Sequence, residues 1–130
     1  MAHYNIFRSG KYRFISEDEY REKRVLQRFF NSKVLNQFRE QGGGRGKVLP
    51  VEFFFYTDDE DKAINLAIEI SKLHYEISGI DRDRSDNKWQ VKGRAPIMKM
   101  ENKTLTKWSK QMVDLGYEND CDFDGWNILL

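Results

Sequence analysis

Few residues of this chain have side chains that could carry out covalent chemistry. The two histidines are His3, near the amino terminus, and His74, at the expected exit of a helix. The single cysteine, Cys121, stands between Asp120 and Asp122, whose charges are expected to raise its pKa and disfavour the reactive thiolate. Because no nucleophile, base and orienting group come together, we predict no catalytic residues and a protein that is not an enzyme.

A glycine-rich stretch at residues 42–47 has the composition of a phosphate-binding loop but not its context. Such a loop follows a strand, opens a helix and carries Ser or Thr after its lysine to hold magnesium. Here a helix precedes the stretch, a strand follows it, and Val48 takes the place of the hydroxyl residue. We therefore interpret residues 42–50 as a linker.

An acidic run at residues 120–125 matches the first half of a calcium loop, with carboxylates at positions 1, 3 and 5 and glycine at position 6. The bidentate glutamate that completes such a loop has no counterpart in this sequence. The same alternation fits a strand with Cys121 and Phe123 pointing inward. We predict that the chain uses no metal ion and no cofactor.

Composition suits a globular protein of 130 residues, since 39% of them are hydrophobic and 33% are charged. No apolar run approaches the roughly 18 residues of a membrane span, and the start shows no secretory signal. One cysteine allows no disulfide within the chain. These features predict a cytoplasmic protein that does not associate with membranes.

Charge is unevenly distributed along the chain. Residues 1–50 carry 11 Lys or Arg against 5 Asp or Glu, whereas residues 51–130 carry 11 against 16. One interpretation is that a basic arm packs on an acidic body. The other is that the arm meets an acidic partner or a phosphate backbone.

The arm, residues 1–41, is predicted to contain an amphipathic helix. Ser16 and Glu19 have the spacing of a capping box, and Gly42 can end the helix in a left-handed conformation. The expected apolar stripe consists of Tyr20, Leu26, Phe29, Phe30, Val34, Leu35 and Phe38.

Residues 51–130 show the order strand, helix, strand, strand, helix, strand. The strands are expected near residues 51–56, 75–77, 89–92 and 121–124, with a bulge or strand end at Gly93 and Pro96. His74 and Gly116 are the expected left-handed residues that end the two helices. This order predicts an α+β fold: a ferredoxin-like βαββαβ sandwich with a four-stranded antiparallel sheet, preceded by the helical arm.

One face of that sheet is predicted to be open and aromatic. Val51, Phe53 and Phe55 point one way along the first strand, and Phe54 and Tyr56 point the other way. The N-terminal helix, a partner protein or a second copy of the chain could cover the second set. We predict a binding site formed by Phe54, Tyr56, Lys92 and Arg94.

Single-stranded RNA is an alternative ligand for the same face. RNA-recognition domains of this topology stack bases on aromatic residues of the first and third strands. Here the third strand places Gln90 and Lys92 on that face and no aromatic residue. The net negative charge of residues 51–130 also opposes phosphate binding.

From Val51 onward the sequence resembles the regulator of ribonuclease E activity B family, also called ribonuclease E inhibitor protein B. The resemblance rests on the aromatic strand and acidic turn at residues 51–59, the helix exit at residues 73–77, and the strand at residues 89–96. It rests above all on Asp124, Gly125 and Trp126, the family's Asp-Gly-Trp ending.

This resemblance implies a ferredoxin-like fold and a non-enzymatic regulator that binds another protein, such as a ribonuclease. The chain departs from the family in its basic arm and in His74, where the family commonly has glycine. The residues leave two other functions open, a single-stranded RNA-binding module and a self-associating domain that forms a homodimer.

Overall fold

The computed structural model describes residues 13–44 and 46–129. Residues 1–12 of the predicted arm lie outside this description. The elements follow in the order α1 (Glu17–Glu40), β1 (Val48–Thr57), α2 (Glu60–Ser71), β2 (Glu76–Asp83), β3 (Lys88–Lys99), α3 (Asn102–Glu118) and β4 (Asp122–Ile128). None of these three helices is long and apolar enough to cross a membrane.

The four strands form one antiparallel sheet in the order β2-β3-β1-β4. β3 therefore lies between the two strands that α2 connects, and β1 lies between the two strands that α3 connects. The predicted α+β class and four-stranded antiparallel sheet are confirmed.

The hydrophobic core lies between one face of the sheet and helices α2 and α3. Val51, Phe53 and Phe55 are fully buried on this face, as the alternation along β1 predicts. The helices contribute Ala63, Leu66, Ile70, Leu105, Trp108, Met112 and Val113 to the same cluster. Both helices therefore cover one face of the sheet, which leaves the other to different neighbours.

β3 is longer than the prediction of residues 89–92, because it continues through Gly93 and Pro96. Gly93 is required by packing, since a Cβ atom there would lie 2.5 Å from Phe53 Cζ. The register shift falls between Leu49 and Val51 on the neighbouring strand, opposite Pro96. Of the two predicted alternatives, the bulge is confirmed at Pro96, and the strand end is wrong.

α1 begins with the predicted capping box: Glu19 N–H donates to Ser16 Oγ at 3.1 Å, and Ser16 N–H donates to Glu19 Oε1 at 3.0 Å. Its buried residues, however, are Gln27, Asn31 and Leu35, and Phe29 is 70% exposed. Leu26 is also exposed, at 50%. Five residues of the predicted stripe pack on the core, which confirms that side of the helix: Tyr20, Phe30, Val34, Leu35 and Phe38. Leu26 and Phe29 were wrongly included, and polar Gln27 and Asn31 take buried positions on the same side.

The two helix ends differ in how they match the predictions. His74 has a φ of 64°, which confirms the predicted left-handed exit of α2. Gly116 remains helical, and the left-handed residue after α3 is Asp120, with a φ of 56°. Gly116 is needed for close packing instead, because a Cβ atom there would lie 2.6 Å from the Cys121 carbonyl oxygen and 3.0 Å from Phe55.

α1 packs on α3 and brings basic residues to acidic ones of the body. The Tyr20 hydroxyl donates to Asp114 Oδ1 at 2.6 Å, and Arg24 lies 3.8 Å from the same carboxylate. Lys23 pairs with Asp122 at 3.3 Å. These contacts support the interpretation that the basic arm packs on the acidic body.

The predicted division into an arm (1–41), a linker (42–50) and a domain (51–130) stays a prediction. β1 begins at Val48, inside the segment interpreted as the linker. β4 also extends beyond residues 121–124, to Ile128.

Candidate functional site

The face of the sheet opposite α2 and α3 carries the four residues predicted as a binding site. Phe54 pairs with Lys92 across β1 and β3, and Tyr56 pairs with Gln90. Phe54, Tyr56 and Lys92 are partly buried, whereas Arg94, two residues along β3 from Lys92, is exposed. The structure therefore brings Phe54, Tyr56 and Lys92 together and places Arg94 at their margin.

α1 reaches this face at the β4 edge. Lys23 makes its ion pair with Asp122 there, and the ring of Phe30 stands over Gly125. The main packing partner of α1 is α3, which lies on the opposite side of the sheet. We call the surface around Phe54, Tyr56, Lys92 and Arg94 the open face.

A cleft of about 300 Å³ lies where Phe30 meets the open face. Aromatic residues of α1, β1 and β4 line it together with polar side chains of β3 and β4, and the surface exposed to the cleft is mostly polar. Its lining residues are Phe30, Phe54, Tyr56, Gln90, Asp124, Trp126 and Asn127. We call this the aromatic cleft.

Trp126 is a buried anchor beside this cleft. Its Nε1–H donates to Asn31 Oδ1 at 2.8 Å, and Asn31 Nδ2 donates to Ser109 Oγ at 2.9 Å. Edge-to-face contacts join its ring to Phe30 at 6.0 Å and to Trp108 at 6.4 Å. Trp126 thereby fixes β4 against both α1 and α3.

Gly125 forms a bulge that turns its neighbours to opposite sides of the sheet. Its φ is 114°, and the pairing of β4 with β1 shifts register between Phe54 and Phe55. As a result, Trp126 is buried while Asp124 lies exposed in the aromatic cleft. The bulge therefore places the Asp124 carboxylate in the aromatic cleft.

Asp124 has no hydrogen bond or ion pair with any residue of the described ranges. The two nearby cations have other partners, since Lys23 pairs with Asp122 at 3.3 Å and Lys88 lies 4.0 Å from Asp86. Partial burial in the cleft raises the pKa of Asp124, Lys23 acts against this, and Asp122 adds to it. Asp124 is thus a carboxylate held in an unfavourable environment.

Replacing Asp124 with asparagine is expected to leave the protein at least as stable as the native chain at pH 7. A raised pKa in the folded state means that the ionised carboxylate costs stability above its unfolded value, near 3.8. The small advantage of Asp124→Asn should therefore fade as the pH falls through the raised folded pKa and should be absent below the unfolded value. Urea unfolding at several pH values measures it, and a clear loss of stability at pH 7 would contradict it.

Two of the groups considered for catalysis, His74 and Cys121, lie apart from this site, and His3 lies outside the described residues. His74 is exposed at the end of α2. Cys121 is buried, and burial raises the pKa of its thiol to about 12, with Asp120 adding to the effect. The predicted direction is confirmed, but burial is its main cause.

The acidic run at residues 120–125 does not converge on one point. Asp120 is fully buried and binds Lys62 Nζ at 2.7 Å, whereas Asp122 pairs with Lys23. Across residues 13–44 and 46–129, no group of three or more His, Cys, Asp or Glu side chains is placed to hold a metal ion.

Three lining residues of the cleft were not predicted as site residues: Phe30, Gln90 and Asn127. Phe30 was assigned to the apolar stripe of the helix, which is where its spacing places it. Gln90 was noted only as a polar member of the third strand. Asn127 lies beyond the predicted end of β4, so its position depends on the bulge at Gly125.

Comparison with known proteins identifies the family. The family model described as regulator of ribonuclease activity B matches residues 29–128, which include every strand, α2, α3 and half of α1. No curated protein matches the chain significantly. The resemblance inferred from the Asp-Gly-Trp ending is confirmed, and the chain belongs to the regulator of ribonuclease activity B family.

Proposed function

We propose that this protein regulates a ribonuclease by binding to it through the open face, and that it has no catalytic activity of its own. Family membership supports the first part, because the family is described by its regulation of ribonuclease activity. Ribonuclease E is the enzyme to which the sequence resemblance points. We also propose that the protein is cytoplasmic, because that is where it would meet such an enzyme.

The observation that carries this proposal is the partly buried pair Phe54 and Tyr56, which lies on the face away from α2 and α3. Aromatic residues are enriched at the centres of protein interfaces because they bury a large area at a small entropic cost. Lys92 and Arg94 beside them make no ion pair with the described residues. They are therefore available to meet acidic groups of a partner.

We also infer that the sheet and helices α2 and α3 form a ferredoxin-like sandwich. The inference is supported by the order β2-β3-β1-β4, in which each βαβ unit is split by a strand of the other. It is supported too by the placement of both helices on one face. This arrangement is what leaves the opposite face to a partner.

Charge on the open face favours a protein over RNA. Register and alternation place five acidic residues on this face, together with Asp124 in the cleft: Glu52, Glu76, Asp81, Asp83 and Asp122. Lys88, Lys92 and Arg94 oppose them. A face with both signs of charge suits a protein surface, whereas a phosphate backbone requires a predominance of cations.

The test is a cleavage assay with ribonuclease E and a labelled single-stranded RNA. We expect the native protein to slow cleavage in a concentration-dependent manner. Phe54→Ala should raise the concentration needed by about tenfold, since truncation of a central interface aromatic typically costs more than 1 kcal/mol. Arg94→Glu should weaken inhibition as well, and its exposed position keeps the core intact.

The matched control is Ile68→Ala on α2, which removes an apolar side chain that is 51% exposed on the opposite side of the molecule. Its inhibition should equal that of the native protein. Unchanged cleavage at micromolar native protein would reject the proposal. Salt-sensitive binding to the RNA without enzyme would favour the RNA-binding alternative, and a dimeric mass in solution that is lost with Phe54→Ala would favour self-association.

A further inference from the structure

The aromatic cleft contains a carboxylate that has no partner among the described residues. Asp124 accepts no hydrogen bond from residues 13–44 or 46–129. Phe30, Phe54 and Tyr56 line the same space of about 300 Å³. A carboxylate beside apolar rings is stabilised when a cation occupies the space between them.

The other polar groups of the cleft also present acceptor atoms. Gln90 Nε2 donates to the Tyr56 hydroxyl at 2.9 Å, and the Gln90 carbonyl oxygen accepts no hydrogen bond from the described residues. Asn127 lines the cleft from β4, on the other side of β1 from Gln90, and its amide can supply a second acceptor. An occupant with several N–H donors can meet Asp124 and one of these acceptors at the same time.

Arginine matches these features better than other side chains. Its guanidinium is planar, is weakly hydrated, carries five N–H donors and stacks on aromatic rings. A lysine ammonium is a strongly hydrated point charge that gains less from ring surfaces. A phosphate or carboxylate would be repelled by Asp124, and an apolar side chain would leave Asp124 buried without a partner.

The charges around the cleft leave this position open to an external cation. Lys23 is held by Asp122 at 3.3 Å, and Lys88 contacts Asp86 and the ring of Phe14. Neither makes an ion pair with Asp124. Lys92 is not a neighbour of Asp124 either, because β1 lies between β3, which carries Lys92, and β4, which carries Asp124.

We propose that the aromatic cleft binds an arginine side chain of the partner protein, with Asp124 accepting from the guanidinium while Phe30, Phe54 and Tyr56 pack against its plane. This inference rests on the proposed function, since it names the chemical group by which the regulated protein is recognised. It assigns Asp124 a binding role and limits Gly125 and Trp126 to positioning it.

The probe is the peptide acetyl-Gly-Arg-Gly-amide, titrated into the isotopically labelled full chain and followed by NMR. We expect shifts in the backbone signals of Asp124 and Gly125 and in the side-chain amide signals of Gln90 and Asn127. Citrulline has the shape of arginine without its charge, so the citrulline peptide should bind at least about tenfold more weakly. The lysine peptide should also be weaker than the arginine peptide.

Asp124→Asn should abolish binding of the arginine peptide while leaving the fold intact. The matched control is Asp81→Asn, which removes the same charge from the same face outside the cleft and should keep the native affinity. Equal shifts with the arginine and citrulline peptides, or binding that survives Asp124→Asn, would overturn the inference.

A further variant tests whether the chain supplies its own arginine. Arg8 is the only arginine among residues 1–12. If Arg8→Gln alone shifts the cleft signals before peptide is added, the occupant is this segment and the proposal of a partner's arginine is wrong. If no peptide binds while the native protein still slows ribonuclease cleavage, only the inference on arginine fails and the proposed function stands.

Discussion

Replacing Asp120 with alanine is expected to lower the free energy of unfolding by about 3–5 kcal/mol, towards the lower end. The Asp120 carboxylate is 0% exposed and binds Lys62 Nζ, itself 1% exposed, at 2.7 Å. It also accepts from the backbone N–H groups of Phe14 and Ile15, at 2.8 and 2.9 Å. The variant leaves the Lys62 ammonium buried with only part of its compensation, because Asp58 remains at 2.9 Å.

Urea unfolding followed by circular dichroism measures this effect, and the control is Glu69→Ala. Glu69 and Lys72 form an ion pair with the same separation of 2.7 Å, but their side chains are 42% and 66% exposed. An exposed pair contributes at most about 1 kcal/mol, so Glu69→Ala should change little. Similar losses in both variants would show that burial does not decide the strength of the Lys62–Asp120 pair.

The Asp120→Asn variant distinguishes the effect of the lost charge from the effect of backbone strain. Asp120 has a φ of 56°, which asparagine tolerates and alanine does not, so part of the alanine effect is strain. We still expect a loss of at least about 2 kcal/mol from asparagine, because the counter-charge of Lys62 is removed. A fully stable Asp120→Asn would assign the whole effect to backbone strain.

Much of the sheet could be predicted because strands follow a simple rule of alternation. Phe53 and Phe55 were separated from Phe54 and Tyr56 by parity alone, and the structure keeps that division. The alternation of side chains along a strand is a local property of the chain, so it can be predicted without knowing which strands pair. The same reasoning placed Lys92 on the face of Phe54, which the pairing of β1 with β3 now locates opposite it.

The aromatic cleft could not be predicted, because it depends on contacts between distant segments. Phe30 enters it only because α1 docks beside β4, and the spacing of the apolar stripe does not show where the helix docks. One sequence signal was available: Gln27 and Asn31 interrupt the apolar spacing at positions four residues apart. A polar pair with helical spacing beside an apolar stripe can indicate a buried hydrogen-bond network, which is what Asn31 forms.

The role of Asp120 could not be predicted for a related reason. In the sequence it belongs to an acidic alternation with Asp122 and Asp124, and nothing in that pattern distinguishes the three carboxylates. In the structure the three carboxylates have separate environments: a buried ion pair, a surface ion pair and an unpaired position in the cleft. The difference arises from Lys62, which is 58 residues away from Asp120 in the chain.

Replacing Asn31 with alanine is expected to lower the free energy of unfolding by about 2–3 kcal/mol, because it leaves a buried N–H group without an acceptor. Asn31 is 0% exposed, accepts from Trp126 Nε1 at 2.8 Å and donates to Ser109 Oγ at 2.9 Å. The matched control is Asn36→Ala, the same change at an exposed position of α1, which should alter stability by no more than about 0.5 kcal/mol.

A double-mutant cycle with Trp126→Phe isolates the hydrogen bond between α1 and β4. Phenylalanine lacks the indole N–H, so Asn31→Ala should cost less in that background, with a coupling of at least about 1 kcal/mol. Because Asn31 joins α1 to both α3 and β4, we also expect α1 and the sheet to unfold in one transition. If Asn31→Ala instead unfolds α1 while the sheet keeps its native stability, then α1 is a separate arm. In that case Phe30 lines the aromatic cleft only while α1 is docked on the sheet.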